Sequence, residues 1–175
     1  MRDAGVALPV YNVEEPCYPL KLSQSRSLFK LFSSDIGLLA SQYTDGFQLQ
    51  ILNNEININF GSIYENAVAQ ELKAHGFYEL YYFNSKRQGE LDFVIEYKEK
   101  ILPIEVKSGK DYERHNAINN ILTSPNYNIK EGLVLCNDNI KTENKITYMP
   151  IYMTMFIEKQ HMEDMIYKVD LTGLN

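Results

Sequence analysis

Tryptophan is absent from the sequence, cysteine occurs only twice in 175 residues, and no apolar run is long enough to span a bilayer. Two cysteines, Cys17 and Cys136, make no disulfide framework. A reducing, cytoplasmic compartment is therefore expected, with both thiols serving as small buried hydrophobes. The first residues include Arg2 and Asp3 and lack the apolar stretch of a secretory leader. Positive charge is also in short supply. Lys and Arg number 17 against 23 acidic residues, for a net charge of -6. That balance argues against a general nucleic-acid coat protein, which would show a basic surface. It does not exclude a nuclease, because carboxylates gathered around a metal count as negative in the sum while the metal cancels them locally. Internal repeats and low-complexity linkers are lacking as well.

What is present supports a core. Hydrophobic residues make up 45%, and Tyr and Phe number 13 and 8, a β-rich aromatic composition. The length fits one domain, or one domain plus an extension. Periodicity and turn signals predict a strand over 4–13 broken by Pro9, a loop over 14–27, and a short strand then a short helix within 28–43, with Asp35 as N-cap. An Asn-rich connector occupies 44–60. A helix over 62–75 opens with Ser62 and Glu65 at capping-box spacing and ends at Gly76. Strands are predicted at 78–84, 90–96, 101–107, 132–136 and 146–153, with helical pieces at 111–122 and 153–165. The order predicts an α/β fold with a mixed central β-sheet flanked by helices.

The hairpin GELDFVIEYKEKILPIEVK (89–107) carries acids where apolar residues would be more comfortable. Strand alternation puts Leu91, Phe93 and Ile95 on one face and Glu90, Asp92, Val94 and Glu96 on the other. A turn centred on Lys98 and Glu99 sets Asp92 opposite Glu105, and Glu90 opposite Lys107. Like charges facing each other across a ladder destabilise it. The acids can share a proton, point into water, or hold a cation. A solvated face with Glu–Lys pairs is the plain alternative. Glu65 shares its helical face with Val68, Ala69 and Leu72, which carries a carboxylate toward the sheet, unless the side chain is used to cap the helix at Ser62.

Glu65 on a helix, Asp92 on a strand and Glu105-Val106-Lys107 on the next resemble the PD-(D/E)xK nuclease-like superfamily. FKLFSSDIGLLA (29–40), GSIYENAVAQEL (61–72), LYYFNSKRQGELDFVIE (80–96) and ILPIEVKSGK (101–110) resemble the C-terminal domain of unknown function found in many bacterial and archaeal AAA-type ATPases. The resemblance covers about residues 4–136. Leu91, not Pro, precedes Asp92, and the chain has no G-x-x-x-x-G-K-[ST] phosphate loop, so it holds no P-loop ATPase. The resemblance implies a restriction-endonuclease-like core over 61–175, with 1–60 as an N-terminal extension packing on it to form one compact unit.

It further implies Mg2+ (or Mn2+) held by Asp92 and Glu105, by the carbonyl of Val106, and by Glu65 directly or through water. Lys107 would orient or deprotonate the attacking water, or balance charge on the phosphate. The implied partners are nucleic acid, with DNA favoured, and an AAA-type ATPase domain; no membrane is implied. Three functions follow: a metal-dependent nuclease, a catalytically silent binding module for an ATPase, or acids with a structural role only.

Other residues point to function less sharply. Lys86, Arg87, Lys110 and Arg114 could touch phosphate, with solvated loop charge the alternative, and Gln70 and Glu71 could approach the site from the helix. His115 and His161 lack metal-ligand spacing and are expected at the surface. The methionines of 149–165 suggest core packing or an adaptable partner surface.

Overall fold

A computed structural model describes residues 5–43, 46, 49–50, 53 and 60–159. The expected connector at 44–60 is largely outside the described residues, as are His161 and the end of the last helical piece.

The first strand, β1 (Ala7–Val13), is not broken by Pro9. Pro9 pairs with Leu31, and the ladder to the third strand starts only at Val10, so the missing N–H falls beyond the end of that ladder. A 3-10 turn (Leu20–Ser23) then leads into β2 (Gln24–Ser33), which starts before the expected strand and takes up part of the expected loop. Helix α1 (Ile36–Ser41) is capped as predicted: Leu38 N–H donates to Asp35 Oδ1 at 2.7 Å.

Helix α2 spans Gly61–Ala74. Its N-cap is Phe60, which makes no side-chain cap bond, and Ser62 lies inside the first turn. The capping box is therefore not formed, because a residue already helical cannot cap the N–H groups ahead of it. The C-terminus behaves as expected. Gly76 has φ +92°, Phe77 N–H donates to the Leu72 carbonyl at 3.1 Å, and Gly76 N–H to that of Lys73 at 3.4 Å, which is the Schellman pattern.

The remaining elements are β3 (Leu80–Ser85), β4 (Gly89–Tyr97), β5 (Lys100–Val106), α3 (Asn116–Thr123), β6 (Gly132–Cys136), β7 (Lys141–Glu143), β8 (Ile146–Pro150) and a 3-10 turn (Ile151–Phe156). Helix α3 starts later than predicted, β8 ends at Pro150, and β7 was not expected. Among the described residues, the eight strands form one mixed sheet in the order β2-β1-β3-β4-β5-β6-β8-β7, an α/β fold as predicted.

The sheet buries both faces. Val68, Ala69 and Leu72 of α2 pack on Val10, Phe93, Ile104 and Leu135; Ala117, Ile118 and Ile121 of α3 pack on Phe83, Val94 and Val134. Strand β6, GLVLC, is buried at every position because it lies between the helices with a strand on either side. Cys136 is buried there, but Cys17 is exposed in the loop before β2, contrary to expectation. Met149 packs against the α2-side cluster, whereas Tyr152, Met155 and Phe156 are exposed. Among the described residues, no helix is long and apolar enough to cross a membrane.

Candidate functional site

The hairpin register follows its turn. Lys98 and Glu99 adopt φ of 49° and 59°, the left-handed pair of a two-residue hairpin, and set Tyr97 opposite Lys100 and Phe93 opposite Ile104. Regular pairing stops there. One step further, where Asp92 would face Glu105, the Val106 N–H donates to Asp92 Oδ2 at 2.7 Å.

A bulge prepares this departure. Tyr81 pairs with Val94 but Phe83 pairs with Leu91, so Asp92 and Phe93 together oppose Tyr82. Alternation breaks at that point. Leu91 and Val94 pack on the α3 side, Phe93 and Ile95 on the α2 side. The expectation that Leu91, Phe93 and Ile95 share one face is corrected, because one extra residue shifts the period-two pattern.

Glu105 is only 6% exposed. Its Oε1 accepts from Lys107 Nζ at 2.8 Å, and its Oε2 is buried without a hydrogen-bond partner. The anticipated Glu90–Lys107 pair is not formed. Glu90 instead takes Lys30 of β2 as its ion-pair partner, and its second oxygen accepts from Asn84 Nδ2 at 2.6 Å.

Burial raises the pKa of all three candidate ligands. Glu65 is pushed from 4.5 up to about 7, by desolvation first and then by the negative charge of Asp92, with Lys30 opposing. Asp92 is raised by desolvation, against the pull of the Val106 N–H and the Lys30 and Lys107 ammoniums. Glu105 is raised by desolvation and by Asp92, with Lys107 opposing. Glu65, Asp92, Glu90 and Glu105 thus feel one another, and Lys30 and Lys107 are the cations that answer them.

Lys30 received no role from the sequence. It lies in FKLFSSDIGLLA (29–40), and strand alternation alone does not show which distant acid it meets. The other candidates separate plainly. Lys86, Arg87, Lys110 and Arg114 are exposed. Gln70 is used to hold α1, accepting the Ile36 N–H at 3.2 Å, and Glu71 lies 3.8 Å from His75 Nδ1, too far for a hydrogen bond. His115 is not a surface residue: it is 4% exposed and shares a 2.6 Å hydrogen bond with the Tyr148 hydroxyl. Packing of the segment before α3 against β8 buries it, which no ligand spacing could have indicated.

The profile of the domain of unknown function DUF4143 matches residues 60–154, more than half of the chain. The chain belongs to this family. The DUF4143 match runs from α2 through β8 and into the last 3-10 turn, so it contains Glu65, Asp92, Glu105 and Lys107. It leaves β1, β2 and Lys30 outside. No curated protein and no solved structure matches the chain.

Whether a divalent cation suits this DUF4143 site turns on its donors. Among the described residues, no three side chains of His, Cys, Asp and Glu converge closely enough to hold a metal. A magnesium-type ion needs fewer, since it keeps several waters and commonly takes one or two carboxylates. The buried Glu105 oxygen that lacks a partner is the feature such an ion would satisfy, and Asp92 is the neighbouring carboxylate. The donors are hard oxygens, matching Mg2+ or Mn2+ and not a thiolate-seeking metal.

Proposed function

We propose that this DUF4143 domain has a PD-(D/E)xK nuclease-like site that hydrolyses phosphodiester bonds in nucleic acid, with DNA the favoured substrate. The observation that carries this is Glu105: a carboxylate nearly removed from water, with one oxygen unpartnered, beside a second raised carboxylate, Asp92. Leaving such a group unsatisfied is costly unless something binds there.

Asp92 and Glu105 would hold the cation, with the Val106 carbonyl as a further oxygen donor and Glu65 acting through water. A bound divalent cation would supply charge neutralisation at the phosphate and an acidified water. The chain's own residues do the rest. The bulge and the Val106 N–H fix Asp92, and Lys107, held at Glu105, is the group to orient the attacking water or to meet a phosphate oxygen.

The test is Mn2+- or Mg2+-dependent cleavage of single- and double-stranded oligonucleotides by the wild type, Asp92→Ala and Glu105→Ala proteins. Each substitution should lower cleavage by at least about 100-fold. Cleavage at the wild-type rate by both variants would remove this site from the reaction.

A binding module for an AAA-type ATPase is the second reading. The net charge of -6, and a site whose acids are partly answered by Lys30 and Lys107, favour it. Wild-type protein that neither binds Mn2+ nor cuts, yet associates with such an ATPase, would establish it.

A further inference from the structure

Lys30 lies on β2, ahead of the matched region. Its ammonium contacts Glu90 and stands 4.9 Å from the centre of the Tyr82 ring, on the residue that opposes the bulge. Glu90 is braced from the other side by Asn84, whose main-chain N–H donates to Asn12 Oδ1 at 3.1 Å. Four strands join in these contacts: β2 supplies Lys30, β4 Glu90, β1 Asn12, and β3 both Tyr82 and Asn84. The Lys30 side chain is 26% exposed, so its field is screened less than that of a surface lysine. That field acts on Glu65 and Asp92 as well as on Glu90. A lone surface ion pair would have none of these features.

We infer that Lys30 is the resident counter-charge of the candidate site: it holds Glu90 by contact and reaches Glu65 and Asp92, two of the three carboxylates assigned to the cation, through its field, and it thereby sets how strongly such a cation is held. The inference rests on the metal-site reading of the proposed function. Lys30 is a positioning residue here, acting through the acids. Two cations serving one set of carboxylates repel each other, so removing the resident one strengthens binding of the other. Removing the Glu90 charge has the opposite effect, because it subtracts a negative charge and leaves Lys30 unbalanced. A lysine that only braced the fold would produce neither change.

The experiment is a Mn2+ titration, by calorimetry and by thermal unfolding, of the full chain as wild type, Lys30→Met, Lys30→Arg and Glu90→Gln. Met keeps the aliphatic stem over Tyr82 and removes the charge. Lys30→Met should bind Mn2+ about tenfold more tightly and Glu90→Gln about tenfold more weakly, the size of one partly screened charge interaction. Lys30→Arg should match wild type. Binding by Lys30→Met alone, with none by wild type, would also support the inference. Equal or weaker binding by Lys30→Met overturns it and leaves the proposed function standing. Should Lys30→Met fail to fold, wild-type affinity in Glu90→Gln overturns it instead. If none of the four binds Mn2+, the metal site is lost, and the role of Lys30 with it.

Discussion

Asp92 Oδ2 accepts the Val106 main-chain N–H at 2.7 Å, at the point where the β4–β5 ladder would otherwise set Asp92 against Glu105. A side chain has taken the place of a ladder bond. Asp92 is thereby both part of the backbone scaffold and a candidate ligand, and the two roles separate by substitution. Asp92→Ala leaves the Val106 N–H without its acceptor and should cost about 1–3 kcal/mol in denaturant unfolding. Asp92→Asn keeps an acceptor oxygen and should stay within about 1 kcal/mol of wild type. Both should lose any Mn2+-linked rise in thermal midpoint.

Glu65 gives a pH dependence with a definite sign. Its pKa is raised from 4.5 to about 7, so the fold favours the neutral form. The stability it contributes is full below about pH 4.5 and is lost as pH rises through about 7. The groups acting on it are Asp92, Glu90 and Glu105, which oppose ionisation, and Lys30, which assists it. Asp92 and Glu105 are shifted in the same direction. The thermal midpoint of metal-free protein should therefore fall between about pH 5 and about pH 8, and Glu65→Gln should flatten that profile. A profile in Glu65→Gln as steep as in wild type would exclude Glu65 as a source of the dependence.

His115 should titrate below its ordinary value of 6.5, because burial opposes its charging and the Lys107 ammonium pushes the same way. NMR of the imidazole protons reads this directly. Its contribution to stability is full above about pH 6.5 and is lost as pH falls through the lower folded value. Tyr148→Phe removes the hydroxyl from His115 Nε2 and should cost about 1 kcal/mol.

Gly132 opens β6 directly beneath α3. A Cβ there would meet Ile118 Cδ1 at 2.6 Å and Cγ1 at 2.9 Å, and Ile118 is fully buried. Gly132→Ala should destabilise by about 1–3 kcal/mol, measured by denaturant unfolding.

Much of this fold was legible in the sequence wherever a local rule sufficed. Asp35 caps α1 because a carboxylate just ahead of a helix meets free N–H groups whatever surrounds it. Gly76 ends α2 because only glycine enters the left-handed region freely. The hairpin register followed from the Lys98-Glu99 turn. Ser62 failed the same kind of argument: its spacing to Glu65 fits a capping box, but the helix starts too early for it to serve.

The candidate site divides along the same line. The sequence by itself set Glu65 in line with the apolar face of an amphipathic helix, and Asp92, Glu105 and Lys107 near one end of a hairpin, because both are consequences of short-range periodicity and one turn; that Glu65 is not spent on a capping box was decided by where the helix starts. Only the tertiary structure decided the rest. The bulge at Asp92 depends on how β3 pairs with β4, the Lys107–Glu105 and Lys30–Glu90 pairs on which cation reaches which acid, and the burial of His115 on how the segment before α3 packs against β8. Most of those are contacts between segments far apart in the chain, and no local pattern encodes the partner a charge will find once the sheet has closed around it.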